Sequence, residues 1–514
     1  LLKDSVDQVN SGGKIWVSCD SQKAKSKHGS KNLEKYYRSR CPGKKILRID
    51  AETVANPEHP AYQCAEKITE LAALYDIVIC SPSLATGVSV DLRGHFNAVF
   101  GIFQGAISDN EVRQSLARVR EPVNRFVWCR QIAVGKIGNG ESNYKEVAKS
   151  KEKDCRYNLQ LLRDIDFDLD KAHNPVVLKF WAKYAARINS SIWDFRETVR
   201  EGLEAEGHVL TDCGDDDSDT RGEINALRIL NQVEEAVAVA EAEDIDREQF
   251  EKLSQQRSKT DTERYQVEKF RLKEIYKAEV TPELRQLHQD KWFGKIQLEY
   301  LLTHNPDFLW MRDRKNIDSQ IKNGDGQLCL QDVRQSMCKV MVHKLLNTLQ
   351  FCDPTKEWSN KSPEILEFAG KALKFAADIK TFTGIKVSAK KVAENPIGVV
   401  NSFLGQLGLK FAGLPQRRVG GERLRFYKFG GAASANVFDR AGNKVKEPEG
   451  LRSQIFEAWQ KRDELALFEF QQHGIAAVEA DVTVDLKPSA SKVRLKKDLY
   501  LKSVTASPID IENI

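Results

Sequence analysis

Two cysteines never stand at C-x-x-C spacing in this chain, and its ten cysteines meet no histidines at zinc-ligand spacing. A disulfide framework and a structural metal site are therefore both unsupported, and a reducing cytoplasm is the expected setting. No apolar run approaches the roughly 18 residues that a membrane-spanning helix requires, and no basic-then-apolar leader opens the chain, so no membrane partner is expected. A dominant charge is lacking as well: 79 Lys and Arg nearly cancel 74 Asp and Glu, leaving +5. That balance neither demands nor forbids a nucleic-acid partner, so the placement of the charges carries the information. What is present is length and core-forming composition: 514 residues, 41% hydrophobic and 30% charged, enough for about three or four domains. The chain opens "LLKDSV", without methionine, and is expected to be a piece of a longer protein.

From Lys14 to Gln131 short β-branched runs alternate with helical patterns. "KIWVSC", "KKILRID", "DIVICS", "FNAVFGIF" and "RFVWCR" read as strands, and "SQKAKSKHGSKNLEKYYRSR" and "HPAYQCAEKITELAALY" as helices between the first three. Strands separated by helices imply parallel pairing, a sheet covered on both faces, and functional loops at the carboxyl ends of the strands. Two segments there stand out: "SPSLATGVSVD" after the third strand and "SDNEVRQSLARVREP" after the fourth.

In the second segment Ser108 and Glu111 form a capping-box pattern, Val112, Leu116 and Val119 fall at helical spacing, and Pro122 limits the helix beyond Arg120. Gln114 and Arg118, four apart, then share another face. Taken alone, such a face reads as solvated surface with an arginine snorkelling at its end. A helix that reaches a phosphate keeps the same residues together, and the neighbouring loop favours that alternative.

A strand, a Thr-Gly loop ending in aspartate, another strand, and a helix carrying Gln-x-x-x-Arg-x-Arg resemble motifs V and VI in the second RecA-like lobe of superfamily 2 helicases. "TGVSVD" followed by "QSLARVR" is most similar to herpesvirus origin-binding proteins and to the helicase part of cyanobacterial plasmid replication proteins, and the match covers about a quarter of the chain. The resemblance implies that Thr86 contacts a nucleic-acid backbone and that Gly87 and Asp91 lie at the nucleotide, Asp91 near the ribose. It implies that Gln114 couples the γ-phosphate to the cleft, that Arg118 stabilises the charge developing on that phosphate, and that Arg120 is a second arginine of the catalytic set. ATP and Mg²⁺ are the implied cofactors, and DNA and other replication proteins the implied partners. Phosphoryl transfer needs positioned positive charge, and an arginine supplied by a second lobe acts only when the lobes close. Ala117 stands where many such helices have glycine, and Arg120 comes sooner than the usual second arginine.

The sequence lacks the other half of such a cleft. G-x-x-x-x-G-K-[ST] does not occur, "SGGKIW" leads into a strand instead of joining a strand to a helix, and no acidic Mg²⁺-binding motif is legible at the end of a strand. The chain is therefore expected to hold no metal ligands, to be inactive by itself, and to follow a lobe that carries the phosphate loop.

Beyond Gly140 the pattern turns helical, through "NPVVLKFWAKYAARINSSIWDFRETVREGL", "INALRILNQVEEAVAVAEAEDIDREQFEKL" and "DTERYQVEKFRLKEIYKAEV". Charge pairs four apart mark solvated faces there. The acidic "DCGDDDSDTRGE" reads as an exposed linker, and His173, His208 and His304 as incidental. Toward the C-terminus, "NPIGVVNSFLGQLG" has an Asn395 cap, Pro396 at the first helical position, a stripe of Ile397, Val400, Phe403, Leu404 and Leu407, and a Gly408 stop. A hairpin closed by Gly420-Gly421 follows. A two-residue turn sets Arg418 opposite Arg423 and Gln416 opposite Arg425, and pleating puts Arg418, Arg423 and Arg425 on one face. Like charges across a ladder destabilise it, and an anionic duplex would offset that repulsion; a charged edge that blocks aggregation is the alternative. Helix plus hairpin resembles a winged-helix module, preceded by a basic stretch with Lys386, Lys390 and Lys391. "SQIFEAWQKRDELALFEFQQHG" reads as a helix followed by short strands.

The fold expected is an α/β RecA-like helicase lobe over 1–140, a helical accessory region over 141–212, an acidic linker over 213–223, a helical domain over 224–375, a winged-helix-like DNA-binding module over 376–430, and a tail over 431–514. The function expected is the C-terminal part of an ATP-dependent DNA helicase and replication initiator at a plasmid or phage-like origin. The alternative is a non-enzymatic DNA-binding initiator or regulator with a relic lobe.

Overall fold

A computed structural model of the chain describes residues 1–82, 88–160, 175–213, 218–303 and 335–481. The chain divides into two compact units, Leu1–Lys461 and Arg462–Ile514. The first unit opens with α1 (Leu2–Asn10), β1 (Ile15–Cys19), α2 (Ser30–Arg40), β2 (Ile46–Ile49), α3 (Ile68–Ala72), β3 (Ile77–Cys80), β4 (Ala98–Phe103), α4 (Asp109–Leu116) and β5 (Asn124–Cys129). The strands form one sheet in the order β2-β3-β1-β4-β5, parallel throughout. All five are the strands expected from the β-branched runs. Alternate residues serve opposite faces: Trp16, Val78, Val99 and Phe103 pack with α3, α4 and a later helix carrying Phe195, Val199 and Leu203, whereas Ile15, Val17, Ile79 and Phe100 pack with α1, α2 and a helix carrying Ile224 and Leu227.

The helices match less closely. Residues 21–29, expected to be helical, form a loop, and α2 begins only at Ser30. Tertiary hydrogen bonds hold this loop: Ser30 N donates to Ser21 O at 2.8 Å, and the Asn32 side chain donates to Ala24 O at 2.9 Å. Between β2 and β3, a turn-rich path with a short 3-10 segment at Cys64–Lys67 replaces most of the expected helix, leaving only α3.

The helical part contains α5 (Tyr144–Gln160), α6 (Pro175–Ile192), α7 (Phe195–Ala205), α8 (Ser218–Glu241), α9 (Arg247–Gln255), α10 (Asp261–Tyr276), α11 (Pro282–Gln289) and α12 (Phe293–Thr303). The acidic stretch read as a linker passes into α8 at Ser218, and its Glu223 meets Arg40 at 2.6 Å. α8 and α9 break where Asp246 caps a new helix by accepting from Gln249 N at 2.8 Å. His173 and His304 lie outside the described residues.

The rest comprises α13 (Gln335–Leu345), β6 (Glu357–Ser359), α14 (Pro363–Lys374), α15 (Ala376–Thr383), α16 (Ala389–Glu394), α17 (Pro396–Gln406), β7 (Leu409–Val419) and β8 (Glu422–Ala432). β6, β8 and β7 form a second, antiparallel sheet in that order. The α17 stripe is buried as its spacing requires, against Phe351, Phe368 and Leu409 among others. Asn395 caps α17 by accepting from Gly398 N at 2.9 Å, and Gly408 ends the turn with φ of +70°. One core runs from Val239 to Trp459 and joins the helical region to this sheet. α18 (Leu451–Asp481) contributes its first residues to the first unit; the remainder, from Arg462, is the described part of the second. The strands expected after it lie outside the described residues. No described helix is long and apolar enough to cross a membrane.

Candidate functional site

The corner between β3 and α4 is built by tertiary hydrogen bonds. Thr86 and Gly87 fall outside the described residues, and the chain is described again from Val88. Val90 then pairs in parallel with Val119: its N–H donates to Arg118 O at 2.8 Å, and its carbonyl accepts from Arg120 N at 3.2 Å. The capping box of α4 forms as its sequence requires, with Ser108 and Glu111 exchanging bonds. The helix nevertheless stops at Leu116, which corrects the expectation that Arg118 and Arg120 ride on it beside Gln114.

Arg125 of β5 supplies the physical reason. Its Nε donates to Leu116 O at 3.2 Å, and its terminal nitrogens donate to Val119 O at 2.8 Å, Val123 O at 2.8 Å and Glu121 O at 3.2 Å. One guanidinium thus captures carbonyls that a longer helix would have turned inward. On the other side, the buried Glu121 carboxylate accepts from Phe96 N at 3.3 Å and from Gly94 N. Residues 117–123 are lashed into a turn beside Val88–Asp91.

This turn brings Asp91, Arg118 and Arg120 together on one short piece of paired backbone. Asp91 and Arg120 are exposed, and Arg118 is half-buried. Burial pushes the Cys80 thiol up to about 12 while the Arg118 charge pulls it back, so the guanidinium bears on the carboxyl end of β3. Asp91 accepts from the Ser89 hydroxyl at 3.2 Å. Gln114 stays exposed on α4, one turn before Arg118. Arg113, the remaining arginine of the segment, is scaffold: it pairs with Glu206 and lies 3.6 Å from Asp109.

Two aspartates at strand ends escaped the sequence reading. Asp20, just after β1, accepts from Gln104 N at 2.7 Å and Ala106 N at 2.9 Å, while its Oδ1 is buried with no hydrogen-bond partner. Burial raises its carboxyl above the ordinary range, and those N–H groups only partly offset it. Asp50, just after β2, would also be raised by burial, but Arg48 at 3.2 Å, Ser30 at 2.6 Å and Thr53 N at 3.0 Å hold it low. Both tie loops at the carboxyl edge. Neither belongs to a metal cluster, since no group of three or more His, Cys, Asp or Glu side chains able to hold an ion occurs among the described residues.

The hairpin has the register read from its turn. Gly420 and Gly421 both have positive φ, +59° and +86°, as a type I′ turn requires, and Arg418 pairs with Arg423, Val419 with Glu422 and Gln416 with Arg425. Arg418, Arg423 and Arg425 are exposed, and among the described residues none has a carboxylate within salt-bridge distance. Tyr427 shares their face, with the Arg425 guanidinium 5.8 Å from its ring centre. The opposite face is neutralised: Arg417 pairs with Glu357 and covers Phe426 at 4.3 Å, and Lys361 pairs with Glu422. α17 carries no lysine or arginine. Among the expected basic residues before it, Lys386 and Lys390 are exposed, and Lys391 is committed to the helix by donating to Ser402 Oγ at 3.1 Å.

No family model matches the chain, and no solved structure matches it. It is 32% identical over 477 residues to an uncharacterized protein of a Picosynechococcus strain, a match covering 91% of this chain and 45% of that protein. The chain thus spans under half the length of that relative.

Proposed function

We propose that this chain is the C-terminal part of an ATP-dependent DNA helicase that acts in replication initiation at a plasmid or phage-like origin. The observation that carries the proposal is the Val90–Val119 bridge, which sets the tail of the Thr-Gly loop against the turn holding Arg118 and Arg120. A RecA-like second lobe needs that juxtaposition, because its arginines and its nucleic-acid loop must move as one piece. The all-parallel sheet, with both segments at its carboxyl edge, agrees with it.

Arg118 and Arg120 fit a phosphate, and the Asp91 carboxylate fits a ribose hydroxyl. Bound with Mg²⁺, ATP would supply the γ-phosphoryl group whose developing negative charge a positioned guanidinium stabilises. Within this chain, Arg125 and Glu121 orient the turn, Arg118 presents charge from a half-buried position, and Gln114 stands ready to hydrogen-bond at the same edge. The phosphate loop and the Mg²⁺ carboxylate would come from another lobe of the whole protein.

A winged-helix reading of the C-terminal sheet is supported by its connectivity: a short strand, helices, then a hairpin whose second strand pairs back onto the short one. Here the cations lie on the hairpin and not on the preceding helix, so the hairpin is the DNA-contacting element. That same stripe favours the second reading, a DNA-binding initiator that hydrolyses nothing, because it forms without any nucleotide site.

The deciding experiment is Arg118→Ala in the full-length protein. Turnover should fall by about 10³-fold or more, with DNA binding nearly intact; a variant with near wild-type turnover leaves the non-enzymatic initiator standing. The 514-residue chain by itself should turn over no ATP, with or without DNA, and turnover at an ordinary helicase rate would overturn the split site.

A further inference from the structure

α8 packs against the first turn of α2, directly after the loop that leaves β1. Asn231 of α8 donates to Asn32 Oδ1 at 2.7 Å and to Lys31 O at 3.3 Å, and Ile224 and Leu227 pack into the core that reaches Trp128. Most cations along this seam have a carboxylate: Lys25 meets Asp290 at 2.9 Å, Lys31 meets Glu52 at 2.7 Å as well as Glu235, and Arg40 meets Glu223. Lys27 differs, because the charges that bear on it are those of Arg221 and Arg228. Among the described residues neither Lys27 nor Arg228 has a carboxylate within salt-bridge distance, and the Arg228 Nε donates to a neutral amide, Asn225, at 3.1 Å. Burial and mutual repulsion hold Lys27 below the usual lysine range.

An aromatic pair adjoins these cations. The His28 ring stands edge-on to Trp128 at 5.5 Å, and its buried Nδ1 has no hydrogen-bond partner. The loop lies at the carboxyl edge of the sheet, where open α/β folds receive ligands. Among the described residues Lys27 and Arg228 are partly desolvated like charges without a carboxylate partner, and a bound anion would neutralise them. Cations beside half-buried aromatic rings are the composition of a surface for single-stranded nucleic acid, phosphates on the charges and a base against the rim of the rings.

We propose that Lys27 and Arg228, with Arg221 beside them and the His28–Trp128 rings adjoining, take the phosphate backbone of a nucleic-acid single strand. The assignment rests on the nucleic-acid function proposed above and extends it to an accessory helix, α8, outside the motif segments and outside the hairpin.

The test is a salt titration of the 514-residue chain binding a fluorescent oligothymidylate of roughly 15 nucleotides, followed by anisotropy. Lys27→Gln combined with Arg228→Gln should lower the salt slope by roughly 1.4, at about 0.7 per lost contact to a single strand. The melting temperature should hold or rise, since two repelling charges are gone. The charge-conserving pair, Lys27→Arg with Arg228→Lys, should keep the wild-type slope. An unchanged slope in the glutamine pair overturns the site, and so does equal loss in the charge-conserving pair, which would reveal a packing effect. Inorganic phosphate at matched ionic strength provides a further arm: if it raises the melting temperature of wild type alone while oligonucleotide binding is the same in both, the site takes free phosphate and the strand proposal fails. Duplex binding by the hairpin variants is read separately, so loss of either activity leaves the other interpretable.

Discussion

Replacing Arg125 with methionine keeps an unbranched stem of similar reach and removes the guanidinium that gathers the carbonyls of Leu116, Val119, Glu121 and Val123. At about 1 kcal/mol net per hydrogen bond, and less where water reaches the freed carbonyl, the loss should cost roughly 2–4 kcal/mol of local stability. The cost falls on one place. Residues 117–123 would no longer be held out of the helix, and the Val90–Val119 bridge would lose its support on one side. Amide exchange across that segment, followed by mass spectrometry, should accelerate by roughly 30-fold or more, as a local opening cheaper by at least about 2 kcal/mol requires. In the full-length protein the same loosening should reduce ATP turnover by about 10²-fold through misplacement of Arg118. The paired signature matters, because Arg118→Ala should lower turnover without changing exchange. Unaltered protection of 117–123 in the methionine variant would refute the view that Arg125 shapes this corner. Altered protection with full turnover would detach the corner from catalysis.

Arg423→Thr removes repulsion opposite Arg418 and adds a better strand former, so thermal melts should show stability held or raised by up to about 1 kcal/mol, while a salt titration of duplex binding shows a slope lower by roughly one unit. If Arg418, Arg423 and Arg425 can each be removed without changing affinity or slope, the stripe is edge protection and not a DNA contact. Asp20 sets a pH dependence: its folded carboxyl titrates above the ordinary 3.8, so its favourable contribution is present below that value and is lost as pH rises through the raised one. Asp20→Asn should flatten that part of the urea-midpoint profile, and an unchanged profile would show that the carboxyl does not feel its burial.

The parallel sheet was legible because its inner strands β1, β3 and β4 are short apolar runs buried on both faces, a pattern that depends on nothing beyond the strand itself. The hairpin register was equally local, since two adjacent glycines admit a turn that fixes every pair behind it. The length of α4 was not legible. Val119 falls at helical spacing from Val112 and Leu116, but it is buried by pairing with Val90, and the residue that enforces this, Arg125, lies beyond Pro122. Nor was the loop at 21–29, whose lysines and serines suit a polar helix but whose carbonyls are claimed by the Ser30 amide and the Asn32 side chain. The basic cluster at Lys27 and Arg228 joins residues two hundred positions apart, and no spacing rule reaches across that distance. Asp20 left a weaker trace, as an acid directly following a strand.

The backbone pairing of Val90 with Val119 has a thermodynamic corollary. Two segments that share a ladder also share its free energy, so a ligand that orders one lowers the cost of ordering the other. Linkage makes such an effect symmetric: under the proposed function, the factor by which a nucleic-acid strand at the Thr-Gly loop would tighten a phosphate at Arg118 equals the factor by which that phosphate would tighten the strand. Two main-chain hydrogen bonds, at 2.8 and 3.2 Å, form the backbone part of the joint through which that exchange passes.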